Sequence, residues 1–216
     1  MDNFKATQLH TEILKAISEM GFQTPTPIQA KTIPHLMSSN QDLIATAQTG
    51  TGKTAAFGLP SIHLTNIKYN DTQTLVLCPT RELCIQIAKD LAKYSKYLNG
   101  INILAVYGGS DIRAQIKSLN KGAHIVIGTP GRTKDLIKRK KLNIGHIARI
   151  ILDEADEMLT MGFKEDLEMI LSHTPKEKQT LLFSATMSQK VVAITQSYMN
   201  DPLKIAAAQM NITAEN

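Results

Sequence analysis

The sequence has no tryptophan, only two cysteines and 5% aromatic residues in all. It offers no aromatic run that could serve as a stacking platform for nucleobases. Cys78 and Cys84 both sit in apolar surroundings and make neither a disulfide framework nor a metal site, so a reducing compartment is expected. No stretch approaches the length of a membrane span. The opening MDNFKATQLH has an early acid and no apolar run, so no secretion signal is read there and a cytoplasmic location is the expectation. The 216 residues contain neither a long linker nor an internal repeat. A strong charge imbalance is missing too: the net charge of +5 is a modest basic excess, compatible with a polyanionic partner but common in proteins without one. Apolar residues, by contrast, make up 43% of the chain, enough for a sizeable core in one large domain or two small ones.

Those apolar residues are grouped. Short runs rich in Ile, Val and Leu occur at 42–47, 74–79, 101–109, 123–130, 148–156 and 180–186. They are apolar throughout and do not alternate, which fits strands covered on both faces. Stretches of helical periodicity lie between them, such as RELCIQIAKDLAKYSKYL and SQKVVAITQSYM. Strands alternating with helices predict one α/β domain, a parallel sheet flanked by helices on both faces, preceded by a helical segment containing LHTEILKAISEMG. Each run ends in a small polar cluster: AQTGTGKT, PTREL, YGGS, TPGR, DEAD, SAT. Ligands of open parallel sheets bind outside the carboxyl ends of the strands, so these clusters point to one common edge.

Ala47-Gln48-Thr49-Gly50-Thr51-Gly52-Lys53-Thr54 follows the first run and opens a helix. It fits the phosphate-binding pattern G-x-x-x-x-G-K-[ST], with Ala47 in place of the first glycine. Gly50 and Gly52 let backbone N–H groups close around phosphate oxygens, and the helix N-terminus adds its positive end. Lys53 would reach the β- and γ-phosphates and the Thr54 hydroxyl would ligate Mg²⁺. The fifth run, ARIILDEAD, leads into four carboxylates within five positions, Asp153, Glu154, Asp156 and Glu157. Such a cluster behind a buried strand needs a cation against it. The candidate is Mg²⁺ on a nucleoside triphosphate, bound by Asp153 through its water shell, with Glu154 placed to orient and deprotonate the attacking water. Glu157 reads as a solvated side chain.

Taken together, these residues resemble the N-terminal, RecA-like P-loop domain of a DEAD-box RNA helicase. Gly21-Phe22-Gln23-Thr24-Pro25-Thr26-Pro27-Ile28-Gln29 resembles the family's Q motif, with Phe4 at its upstream aromatic position. The loop Ala47 to Thr54 resembles motif I, Pro79-Thr80-Arg81-Glu82-Leu83 motif Ia, and Gly108-Gly109 the GG element. Thr129-Pro130-Gly131-Arg132 resembles motif Ib, Asp153-Glu154-Ala155-Asp156 the acidic motif, and Ser184-Ala185-Thr186 motif III. The resemblance implies a Q-motif segment over residues 1–30, the RecA-like domain over 31–207, and a tail or start of a linker over 208–216.

It also implies roles. Gln29 would read the adenine edge with its amide, Phe22 would stack on the base, and Thr24 would contact it through the backbone, giving a preference for ATP. Phe4 belongs either to that site or to the core under the N-terminal helix. Pro79, Thr80, Arg81, Gly108, Gly109, Thr129, Pro130, Gly131 and Arg132 would contact the RNA sugar–phosphate backbone, without reading sequence and in a salt-sensitive way. The run Lys138-Arg139-Lys140-Lys141 reads rather as a helix C-terminus in solvent. Ser184 and Thr186 would couple the ATP site to domain closure through Asp156, although hydroxyls beside a turn can simply satisfy the turn.

The family's second RecA-like domain carries an arginine-rich HRxGR element that completes the ATP site, and nothing like it occurs in this sequence. A monomeric half that needs a C-terminal partner domain is therefore expected. Two other readings stay open: a P-loop ATPase of another class, such as a DNA translocase, and a single-domain RNA- or nucleotide-binding module that regulates without catalysis.

Overall fold

The computed structural model describes residues 3–206. All six apolar runs form strands: β1 (Leu43–Thr46), β2 (Thr74–Leu77), β3 (Ile103–Val106), β4 (Ile125–Gly128), β5 (Arg149–Leu152) and β6 (Gln179–Ser184). A seventh, β7 (Leu203–Ala206), pairs with β1. The order across the sheet is β3-β4-β2-β5-β6-β1-β7, and every pairing is parallel. Side chains alternate between two cores. Val76, Ile125, Ile127, Ile151, Leu181 and Phe183 face one. Leu75, Leu77, Val126, Ile150, Leu152 and Leu182 face the other. Both faces are covered, which is why the runs read as continuously apolar.

The first core is closed by α1 (Thr11–Glu19), α2 (Pro27–Ser38), α3 (Lys53–His63) and α4 (Arg81–Tyr94). The second is closed by α5 (Ile112–Leu119), α6 (Pro130–Lys138), α7 (Ala155–Thr160), α8 (Lys164–Ser172) and α9 (Gln189–Tyr198). Fully burying a Val, Leu, Ile or Phe side chain contributes about 1.5–3 kcal/mol, so this double layer is the main source of stability.

Two expectations change. The boundary between residues 30 and 31 falls inside α2, and Ile13, Ile17 and Ile28 belong to the same core as the sheet. The N-terminal segment is thus part of the domain, because the apolar stripe of α1 has nowhere else to be buried. The strand β7 was not expected: it follows Pro202, and only Ile205 of its four residues is buried, as suits an edge strand. The expected tail, 208–216, lies outside the described residues. Among the described residues no helix is long and apolar enough to cross a membrane.

Candidate nucleotide and nucleic-acid site

The parallel sheet places the polar clusters at the carboxyl ends of its strands. Thr26 caps α2: its hydroxyl accepts from Gln29 N at 3.5 Å and its N–H donates to Gln29 Oε1 at 2.9 Å. Pro27 at the first helical position is pre-set for this geometry. Gln29 is buried, and its Nε2 donates to the Gly52 carbonyl at 3.1 Å. The amide expected to read adenine therefore also ties the Q-motif segment to the phosphate loop, keeping one N–H and one lone pair free. Gly52 permits this approach: a Cβ there would lie 2.5 Å from Gln29 Nε2, and its φ is +91°.

Gly50 also has positive φ, +83°, and its outward side is open. The methyl of Ala47 is buried in the core, and its N–H donates to the Ser184 carbonyl at 3.0 Å, joining β1 to β6. It leaves the loop unobstructed. Gln48 is exposed, and its carbonyl accepts from Thr51 Oγ1 at 2.8 Å.

Lys53, the first residue of α3, reaches Asp153 at 3.5 Å across the end of the sheet. Both are buried. Burial pushes the Asp153 carboxyl above its ordinary value, against the attraction of Lys53. A buried carboxylate beside an open loop of this kind marks the corner as a candidate functional site. Glu154 sits in the left-handed region, φ 53° and ψ 51°, a conformation that costs a non-glycine residue about 1–2 kcal/mol. Its Oε1 accepts from Thr49 Oγ1 at 3.4 Å. The carboxyl group is thereby turned toward the loop instead of capping α7, where no side-chain cap bond forms.

Phe22, Gln29, Lys53, Thr54, Asp153 and Glu154 line one cleft of about 260 Å³. Leu83, Asp90 and Tyr94 of α4 line it as well, and none of the three was anticipated. Phe22 is held between Tyr94 and Phe4, each with ring centroids 6.1 Å away. Phe4 itself is buried and belongs to the core, so it supports Phe22 from behind. Thr24 is exposed. A larger groove of about 1050 Å³ lies at the opposite edge of the sheet around Asp42 and Gln179. There the Asp42 carboxylate is already occupied by the N–H groups of Thr180 and Asn200.

Asp156 Oδ2 accepts from both the N–H and the hydroxyl of Thr186, at 2.9 Å each. Burial pushes this carboxyl up, but the Thr186 and Ser184 hydroxyls and the Thr186 N–H outweigh it and hold the carboxyl below its ordinary value. Ser184 is buried and donates to the Thr186 carbonyl at 2.7 Å, so it satisfies the turn that presents Thr186. Glu157 is exposed, as expected.

The second group of residues gathers beside β3 and β4. Thr80 caps α4 through Leu83 N at 3.2 Å. Arg81 is exposed, with its guanidinium 5.2 Å from the Tyr107 ring centroid. Gly108 and Gly109 are exposed, Gly109 with φ +75°. Thr129 and Gly131 open α6 and are half-buried. Pro79 and Pro130, expected among the RNA contacts, are buried and have no N–H, and they shape the loops that lead into α4 and α6. Arg132 is held in place by two neutral acceptors. Its Nη1 donates to Gln115 Oε1 at 2.9 Å and its Nη2 to the Ser110 carbonyl at 3.1 Å. The run from Lys138 to Lys141 ends α6 in solvent, with Arg139 paired to Asp135. Cys78 and Cys84 are free and buried, and the neighbouring Cys84 together with burial pushes the Cys78 thiol up, which makes it a poor nucleophile.

The family model for the DEAD/DEAH box helicase matches residues 26–194. A DEAD-box ATP-dependent RNA helicase, CshA, of Geobacillus kaustophilus is 50% identical over 214 residues, which is 98% of this chain and 45% of that protein. The ATP-dependent RNA helicase CshA of Listeria monocytogenes is 51% identical over 212 residues, 97% of this chain and 40% of its own. The crystal structure of a DEAD box protein from the hyperthermophile Methanococcus jannaschii superposes with a TM-score of 0.92 at 44% identity, covering 96% of this chain and 56% of that one. The chain spans less than half the length of these two curated relatives. With the phosphate loop, the Asp153-Glu154-Ala155-Asp156 corner and the Asp156–Thr186 contact at one sheet edge, and with a family model matching most of its length, the chain belongs to the DEAD/DEAH box helicase family.

Proposed function

We propose that the chain is the N-terminal half of an ATP-dependent RNA helicase. It binds ATP–Mg²⁺ and the RNA backbone on one edge, and needs a second RecA-like domain for efficient hydrolysis and strand separation. The observation that carries this is the convergence of Gln29, Gly52, Lys53 and Asp153 in one cleft, whose acidic corner is joined through Asp156 to Thr186. The relatives' names, ATP-dependent RNA helicase, support the same reading.

The residues present fit a metal-bound triphosphate. Gly50 leaves open space on the outward side of the loop, and Asp153 is a buried carboxylate only partly neutralised by Lys53. Thr54 and Asp153 would hold Mg²⁺, which supplies charge neutralisation on the phosphate oxygens. Lys53 and the N-terminus of α3 bind the phosphates. Phe22 and Gln29 hold the base. Glu154 orients the attacking water and accepts its proton. Arg81, the Gly108-Gly109 loop and the N-terminus of α6 hold RNA through phosphate and 2′-hydroxyl groups, so binding ignores sequence and weakens with salt.

The test is ATP turnover by the protein carrying this chain and a second RecA-like domain, with single-stranded RNA or DNA of equal length. Stimulation by RNA alone is expected. Equal stimulation by DNA, or none by RNA, overturns the RNA assignment.

A further inference from the structure

Gln115 sits at the centre of the proposed RNA edge without belonging to any of the expected motifs. It lies on α5 and is only 8% exposed. Its Nε2 donates to the Tyr107 carbonyl at 3.1 Å and to Ser110 Oγ at 2.6 Å, while its Oε1 accepts from Arg132 Nη1 at 2.9 Å. Arg132 Nη2 closes the ring by donating to the Ser110 carbonyl at 3.1 Å. One amide thus joins the end of β3, the glycine loop after it and the N-terminus of α6. Arg81, from a third segment, stands over Tyr107 and lies 3.8 Å from where a side chain on Gly109 would begin.

The loop needs such a support. No atom lies within 4 Å of the position a Cβ on Gly108 would take, and Gly109 has φ +75°. Two adjacent glycines, open to solvent, have no side chains to fix their shape. The support must come from inside, from a group with two donors and one acceptor at a single point. Among uncharged side chains only Asn and Gln offer two N–H donors together with an acceptor. The guanidinium keeps its remaining N–H groups for solvent or a ligand, so the bonds to Gln115 and Ser110 orient Arg132 without consuming it.

We propose that Gln115 is a positioning residue for RNA binding: it locks the Gly108-Gly109 loop and Arg132 into one preformed phosphate-binding unit before RNA arrives. The proposal rests on the RNA reading above. A loop and an arginine that are ordered in advance lose less freedom on binding, and ordering one such side chain is worth about tenfold in affinity. Met in place of Gln115 keeps the volume and removes all three bonds.

The experiment compares the chain and its Gln115→Met variant in three ways. Affinity for a fluorescein-labelled decauridine is read by anisotropy from low to moderate salt. Affinity for a fluorescent ADP analogue is read in parallel, and amide hydrogen exchange is followed over residues 107–111. The variant should bind the RNA about tenfold more weakly. Its slope of log affinity against log salt should fall by about 0.7, the share of one phosphate contact on a single strand. The ADP analogue should bind equally well, and the loop amides should exchange faster. Gln115→Asn keeps the amide but shortens its reach, and should fall between the two; it gives the same reading if the methionine variant does not fold. Equal RNA affinity and salt slope in the chain and both variants overturn the proposal and leave the RNA reading standing. A parallel loss of RNA and ADP affinity also overturns it, because that is general destabilisation. No RNA binding by the unsubstituted chain at low salt overturns the RNA reading and the proposal with it.

Discussion

Gln29→Ala separates two jobs that one amide performs. The side chain makes a 2.9 Å bond to Thr26 N and a 3.1 Å bond to the Gly52 carbonyl. Each neutral bond contributes about 0.5–1.5 kcal/mol net, so the truncation should cost about 1–3 kcal/mol. The lower half of that range is expected, because the Gly52 carbonyl also accepts from Ala56 N at 3.1 Å and is not left bare. If the cost appears in the shape of the phosphate loop, ATP affinity falls about tenfold, since about 1.4 kcal/mol is one decade. Discrimination against GTP should fall with it, because the remaining N–H and lone pair of Gln29 are lost to the base. Thr26→Ala is the control. It removes the helix cap but keeps the bond to Gly52, so it should lower stability by about 1 kcal/mol, or about 2–4 °C in melting temperature for a chain of this size, with a smaller effect on ATP. Calorimetry with ATP and GTP, alongside thermal melts, reads both. Unchanged ATP affinity in a folded Gln29→Ala variant, or equal weakening of ATP by Thr26→Ala, would contradict the double role of the Gln29 amide.

Lys53→Ala should abolish measurable nucleotide binding, since it removes the main cation of the loop and leaves Asp153 buried with no cation at 3.5 Å; calorimetry with ATP–Mg²⁺ showing normal affinity contradicts the loop assignment. Glu154→Gln should bind ATP normally yet stop turnover in the two-domain protein, because geometry is kept while the base is lost; normal turnover places the base elsewhere. Asp156 has a folded-state pKa below its ordinary value. It therefore adds stability above its unfolded pKa of about 3.9, and that stability is lost as pH falls through the folded value. Thr186→Ala removes one of the two bonds to this carboxylate, so it should cost about 1 kcal/mol at neutral pH and move acid unfolding to higher pH. Denaturant melts from pH 7 down to pH 2 check this, and an unmoved acid limb contradicts it.

The strands β2, β4, β5 and β6 were legible because every residue in them is buried, and β1 and β3, which are only partly buried, because their runs are apolar all the same. That signal fails at β7, where one face meets solvent and only Ile205 is buried. The phosphate loop and acidic corner were legible for a different reason: glycine spacing and clustered charge are local properties of the chain. The partners of those groups are not local. Nothing near Gln29 in sequence announces the Gly52 carbonyl 23 positions on, and nothing near Arg132 announces Gln115 on another helix. Asp90 and Tyr94 line the nucleotide cleft only because α3 and α4 pack on the same face of the sheet. Phe4 was ambiguous in sequence because an aromatic near a binding segment can serve the ligand or the core; its burial assigns it to the core.

On the proposed reading this chain holds a nucleotide-binding site but an incomplete catalytic one. In the proposed reading Lys53 and the N-terminus of α3 would steady the phosphates, but charge spreading over the γ-phosphate oxygens in the transition state calls for a further arginine, worth about 10³–10⁵ in rate. The residues lining the cleft include no arginine. The decisive measurement is RNA-stimulated ATP turnover by residues 1–216 and by the same chain joined to a second RecA-like domain. Nucleotide binding is expected in both, with turnover by the shorter chain lower by about three orders of magnitude or more and insensitive to RNA. Equal, RNA-stimulated turnover in both would contradict it.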